Sequence, residues 1–100
     1  MAVLYIYESP NAPVDVYDRV SAQLREQGMP PGCLHHTACT LDGDRGLCVV
    51  EVWESEEAQD KWDKVVQEKI ATAGGPARPK PRKLHVHNMM SGDVHQGAKN

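Results

Sequence analysis

No apolar run in this chain comes near the roughly 20 residues that a membrane-spanning helix needs, so a transmembrane helix is not expected. The N-terminus lacks a basic region ahead of an apolar stretch and goes straight into strand-like sequence. No signal peptide is therefore expected, and the cytoplasm is the expected location. Basic residues are not in excess: 11 Lys and Arg face 14 Asp and Glu, for a net charge of −3. That balance lacks the electrostatic footprint of a nucleic-acid binder. Cysteine is scarce, and Cys33, Cys39 and Cys48 are odd in number with no CxxC spacing. They are expected to be buried free thiols in a reducing compartment, with neither a redox nor a metal role. A Ser-His-Asp order, a phosphate loop, a dinucleotide fingerprint and an internal repeat at solenoid periods are all missing. Low-complexity tracts are missing too, and a 40% hydrophobic content argues against global disorder. One hundred residues make one domain with a single core.

What the chain does hold is concentrated in Gly32–Ser55. Two strand-like runs, Cys33–Leu41 and Leu47–Glu54, flank a turn at Asp42–Gly46 and read as a hairpin. In the second run Cys48, Val50 and Val52 alternate with Val49, Glu51 and Trp53, so Glu51 shares a face with large apolar groups. His35 and His36 are neighbours on the first run and must point to opposite faces of a regular strand. His36 goes with Leu34 and Ala38, and His35 with Cys33, Thr37 and Cys39. The pattern alone does not decide which imidazole faces a cavity.

Ala2–Glu8 is β-branched and aromatic and reads as the first strand. Ser9–Pro13 is a breaker cluster, and Pro13 suits an early helical position. Val14, Tyr17, Val20 and Leu24 then recur at helical spacing until Gly28 and Pro30-Pro31-Gly32 stop the helix. Ser55 is a natural N-cap, with Glu56 and Glu57 suited to the helix dipole. Ala58, Trp62, Val65, Val66, Ile70 and Ala73 mark the inner stripe of a long helix that Gly74-Gly75-Pro76 ends. Trp62 reads as a core anchor. Ala77–Pro81 reads as an extended linker, and its basic residues, with Arg78, Lys80, Arg82 and Lys83 together, as a solvated patch. Arg82–Met89 is the last strand, with His85, His87 and Met89 on one face. Residues 1–90 form the domain, and 91–100 a flexible C-terminal tail.

The order β-α-β-β-α-β predicts an α+β, ferredoxin-like fold: a four-stranded antiparallel sheet with both helices on one face. The uncovered face is expected to carry Trp53, Val49 and the strand aromatics. Such a face is too apolar to leave in water, so a homodimer with facing sheets is expected.

Several runs carry a family resemblance: Pro30-Pro31-Gly32, His36, Gly46, Val49–Ser55, Glu57-Ala58 and Val86-His87-Asn88. Together they resemble the small dimeric α+β barrel proteins, and within these the antibiotic biosynthesis monooxygenase (ABM)-like group of actinobacteria. The resemblance covers roughly residues 2–90 and implies a dimer with a substrate cavity bounded by sheet and helices. It puts His36 in that cavity and implies His36 and His87 as site residues. His35 is a departure, since similar sequences carry an apolar or aromatic residue there. Haem-degrading members use an Asn, Trp and His set, whereas this chain has Tyr5 and Tyr7 where the Asn is expected.

The expected catalytic set is thus His36, His87 and Glu51, an imidazole moving protons with a carboxylate to orient or ionise it. Tyr5, Tyr7, Trp53 and His85 are the expected substrate-binding residues, the aromatics by stacking on a planar ligand. The expected function is a small cofactor-independent enzyme of secondary metabolism, of monooxygenase, cyclase or isomerase type. Its substrate is a hydrophobic, aromatic or polyketide-like small molecule, with no nucleic-acid or membrane partner. Two alternatives stand beside it. One is a metal- or haem-binding protein, since His85 and His87 at i, i+2 plus a third histidine make a possible ligand set. The other is a non-catalytic dimer that binds a small molecule.

Overall fold

The computed structural model describes residues 1–41, 45–90 and 92. The elements run β1 (Val3–Pro13), α1 (Val14–Arg25), β2 (Cys33–Thr40), β3 (Arg45–Trp53), α2 (Glu56–Thr72) and β4 (Arg82–His85). The four strands form one antiparallel sheet in the order β2-β3-β1-β4. This is the ferredoxin-like β-α-β-β-α-β arrangement expected from the order of elements. Most of the hairpin turn and of the C-terminal tail lies outside the described residues. Neither described helix is long and apolar enough to cross a membrane.

Two strand ends differ from the sequence reading by more than two residues. β1 runs on through the breaker cluster to Pro13, because the register against β3 shifts between Ser9 and Pro13 and absorbs the irregular residues. β4 is short and ends at His85, after which the Val86 amide still reaches the carbonyl of Ala2 at 2.9 Å. His87 and Met89 therefore lie beyond the strand and do not share a strand face with His85.

The faces of the sheet also need correcting. Val3 pairs with Trp53, Tyr5 with Glu51 and Tyr7 with Val49, and directly opposed residues share a face. Val3, Tyr5, Tyr7, Val49 and Trp53 form the buried core, with Tyr17 of α1 and Ala58 and Trp62 of α2 packed against it. The aromatic face is thus the one the helices cover. Burying an aromatic side chain removes 150–250 Å² from water, so the bulkiest rings gain most from cover. The opposite face carries aliphatic residues instead: Leu4, Ile6, Val50, Val52 and Leu84.

α2 begins as its sequence suggests, with the Ser55 side chain accepting from the Ala58 amide at 3.1 Å and Glu56 and Glu57 in the first turn. The loop before β2 presses on this helix. Gly32 has φ of 87°, and a Cβ there would lie 2.7 Å from the Ala58 Cβ. Gly28 has φ of 81° with open space around it. Gly28→Ala is therefore expected to cost only the left-handed conformational penalty, about 1 kcal/mol. Gly32→Ala should add an overpacking cost of about 1–3 kcal/mol. Urea unfolding of both variants separates the two contributions.

Candidate functional site

The centre of the site is Glu51, which is 2% exposed in the middle of β3. An ionised carboxylate so placed needs donors on both oxygens, and it has them. Oε1 accepts from the Trp53 indole Nε1 at 3.0 Å. Oε2 accepts from Arg78 Nη2 at 2.9 Å and from His36 Nδ1 at 3.2 Å. Burial pushes the Glu51 carboxyl up. The hydrogen bonds from His36 and Trp53 and the charge of Arg78 outweigh it and hold the group below the usual carboxylate range.

His36 reaches Glu51 because the two are opposed across β2 and β3. The Leu41 amide donates to the Gly46 carbonyl at 3.1 Å. With strict alternation along the ladder, this puts His36 and Glu51 at a non-hydrogen-bonded position, where side chains approach most closely. A bulge at Leu34 shifts the register between Cys33 and His35. Cys33 therefore falls opposite Trp53, on the same face as His36, contrary to the strict alternation that grouped it with His35. Cys33 packs against the core, and burial raises its thiol pKa.

The second imidazole nitrogen is also engaged, with His36 Nε2 2.8 Å from the Tyr17 hydroxyl of α1. An ionised Glu51 only accepts, so the Nδ1 proton must point at it. In the neutral ring Nε2 then holds a lone pair that accepts from Tyr17. Burial raises the pKa of the Tyr17 hydroxyl, which stays protonated. Carboxylate, imidazole and phenol thus form one line, and the His36 side chain remains 35% exposed within it.

Arg78 closes the other side. Its side chain is 9% exposed and also bonds Asp63 Oδ1 at 2.9 Å. The guanidinium lies 3.6 Å above the Tyr7 ring, a cation–π contact in a desolvated setting. Gln59, 3% exposed, donates to the Tyr7 hydroxyl. Burial pushes the Tyr7 pKa up, and Arg78 pulls it back only in part.

Of the expected catalytic residues, the structure brings His36 and Glu51 into contact. His87 lies exposed beyond β4, and among the described residues no hydrogen bond joins it to either. His85 is exposed on β4 opposite Val3. Tyr5, Tyr7 and Trp53, expected against a ligand, are 3%, 3% and 0% exposed and sit in the core beneath the helices. Tyr5 stacks beside Tyr7 with ring centroids 6.4 Å apart. Its hydroxyl is the one buried side-chain polar atom without a partner among the described residues. Among those residues no three His, Cys, Asp or Glu side chains converge as metal ligands would. A cleft of about 390 Å³ opens over α2, between Pro30-Pro31 and Trp62 with Val65. Neither His36 nor Glu51 lines it.

Sequence reasoning missed Arg78 and Tyr17. Arg78 was grouped with solvated basic residues, yet a strand carboxylate on an apolar face calls for a cation, and that demand was the available signal. Tyr17 fell on the apolar stripe of α1 and read as packing. Nothing local distinguishes its hydroxyl.

The sequence model of the antibiotic biosynthesis monooxygenase family matches residues 15–65, half of the chain. The chain belongs to that family. The match runs from α1 through most of α2 and so includes Tyr17, His36, Glu51 and Asp63, while Arg78 lies outside it. Solved structures agree at the level of the fold. A Chloroflexus aurantiacus protein assigned to the same family superposes with a TM-score of 0.66 at 18% identity, over 91% of this chain and 98% of that one. SnoaB, a cofactor-independent oxygenase from Streptomyces nogalater, gives 0.59 at 19% identity over 89% and 96%. The ActVA-Orf6 monooxygenase of Streptomyces coelicolor, solved with nanaomycin D, gives 0.51 at 15% identity over 94% and 92%. No curated protein sequence matches this one.

Removing one partner of a buried ion pair costs about 3–5 kcal/mol. Arg78→Ala is expected to destabilise this family member by that amount in urea unfolding, even though Arg78 lies in a linker. The pH dependence follows from Glu51. Its folded value lies below its unfolded one, so its stabilisation is complete above the unfolded value of about 4.3 and is lost as pH falls through the folded value. Unfolding series from pH 7 to pH 2 should show a steep fall in the acid range that Glu51→Gln makes shallower.

Proposed function

We propose that this member of the antibiotic biosynthesis monooxygenase family is a small cofactor-independent monooxygenase-type enzyme of secondary metabolism. Its substrate is an aromatic, polyketide-like molecule bearing an acidic hydroxyl. The observation that carries this reading is the line Glu51–His36–Tyr17, a base oriented by a buried carboxylate and already bonded to a phenol. Glu51 fixes the ring tautomer and stabilises the imidazolium that forms when Nε2 takes a proton. Tyr17 is the outer member. As its oxygen accepts the substrate proton, its own passes to His36, so the proton enters without rearranging the line. The resulting aryloxide is electron-rich enough to give electrons to dioxygen, with the substrate as its own reductant. SnoaB, which shares the fold, supports this as a cofactor-independent oxygenase. The nanaomycin D complex of ActVA-Orf6 supports a polycyclic aromatic substrate class.

The same reading includes a homodimer built on the outer sheet face. Leu4, Ile6, Val50 and Leu84 make that face aliphatic, and Leu84 is 42% exposed in the single chain. The protein should elute at twice the 11.1 kDa chain mass in light scattering, and Leu84→Arg should shift it toward the single-chain mass.

Turnover of hydroxylated anthrone- or naphthol-type substrates, followed by oxygen consumption without added flavin or metal, tests the chemistry. His36→Ala is expected to lower kcat by at least 10²-fold, in line with the loss of a general base. Tyr17→Phe should lower kcat with little change in KM. Wild-type rates in a folded His36→Ala variant would overturn the proposal.

A further inference from the structure

The helices that cover the inner sheet face leave its β2 row open. His36, Ala38 and Thr40 are opposed to Glu51, Val49 and Leu47 across the β2–β3 ladder, and directly opposed residues share a face. The three β3 residues are 2%, 9% and 7% exposed, whereas all three on β2 are exposed. The face therefore steps from a covered row to an uncovered one within a single strand spacing. Exposure extends to the outer side of this edge strand, where Cys39, expected from the sequence to be buried, is exposed as well.

The open row has a direction. On one side of His36, Cys33 packs against the core and Gly32 presses on Ala58, so that end is closed. Toward the hairpin turn the inward side chains shrink to the methyl group of Ala38 and the short side chain of Thr40. α1 starts at that end of the sheet, where Pro13 opposes Arg45, and by Tyr17 it has reached the His36 ring. The row is thus a ledge beside the first turn of α1, with the His36–Tyr17 pair at its closed end. At the usual rise of a strand, Ala38 lies about 6.7 Å along the chain from His36, and Thr40 about 13 Å. That run is longer than a single aromatic ring.

We propose that Ala38 is the specificity-determining residue of this site, admitting planar substrates whose fused rings extend in line away from the reacting hydroxyl. The inference rests on the reading of His36 and Tyr17 as the pair that takes a proton from a phenolic substrate. With the hydroxyl bonded at that pair, the ring that bears it leads onto Ala38, and a second ring in line lies over Ala38 and Thr40. The methyl group gives that ring an apolar floor without rising into its plane, so the flat face of the substrate leaves water there. A longer side chain at this position would stand in the path of the second ring. The ledge is one strand wide, about 4.8 Å. A ring fused to the side therefore runs off the sheet edge or into α1, which sets linear substrates apart from angular ones.

The test titrates the full chain with phenol, 2-naphthol and 1-naphthol, read by backbone amide NMR. The second ring of 2-naphthol extends away from its hydroxyl, whereas that of 1-naphthol lies to the side. In the wild type, 2-naphthol is expected to shift the Ala38 and Thr40 amides and to bind more tightly than 1-naphthol. Ala38→Leu, at an exposed edge-strand position that tolerates it, should lower the ratio of 2-naphthol to phenol affinity at least about tenfold. Circular dichroism checks that the variant is folded. An unchanged ratio in folded Ala38→Leu would overturn the proposal, as would 2-naphthol shifts confined to the cleft between Pro31 and Trp62. Oxygen consumption keeps this inference separate from the reading on which it rests. Ledge binding that Ala38→Leu weakens, with no oxygen consumed by any of the three, upholds the subsite and counts against the oxygenase chemistry. Oxygen consumption with an unchanged ratio does the reverse.

Discussion

A carboxylate in the interior of a hundred-residue domain is the constraint from which most of this structure follows. Taking such a charge out of water costs several kcal/mol after relaxation, against a total stability on the order of 10 kcal/mol for a domain. Glu51 is tolerated because three donors from three parts of the chain converge on it: Trp53 on its own strand, His36 on the neighbouring strand and Arg78 after α2. Each donor is held in turn, His36 by Tyr17, and Arg78 by Asp63 and the Tyr7 ring. Removing the carboxylate would leave the guanidinium with Asp63 as its one ion-pair partner and the indole unbonded. The site is therefore part of the core and cannot be separated from what holds the fold together.

That dependence explains why the aromatic residues serve the site without presenting themselves to a ligand. Tyr7 supplies a face for the guanidinium, and its hydroxyl is anchored by Gln59 of α2. Trp53 fills the core and donates its N–H to Glu51. Packed side chains of this kind hold the hydrogen-bonded groups of the cluster in fixed rotamers. His36 is the exposed member, while Tyr17 is half-buried against the core.

How much of this was legible in the sequence depends on how far apart the interacting residues lie. The element order, the N-cap at Ser55 and the grouping of Glu51 with Val49 and Trp53 on one face are local patterns, and the structure keeps them. The choice between His35 and His36 was not local. It turned on the bulge at Leu34 and on the β2–β3 register, neither of which has a signature in Cys33-Leu34-His35-His36. Which sheet face the helices cover was misjudged because alternation tells which residues share a face, not which face is covered. Arg78 was hidden for another reason. A cation among prolines reads as solvated until the buried charge it answers has been placed, 27 residues earlier in the chain.

The bulge also decides what the hairpin can do. Without Leu34 as the extra residue, Cys33 and His36 would lie on opposite faces, and either the core contact of Cys33 or the Glu51 contact of His36 would be lost. With it, both fall inward, and alternation resumes from His35 with His35, Thr37 and Cys39 facing outward. The inner row of the hairpin then carries His36 opposite Glu51, while the outer row carries Cys39 opposite Cys48. One irregularity in the ladder thus gives a single pair of strands two chemically distinct faces.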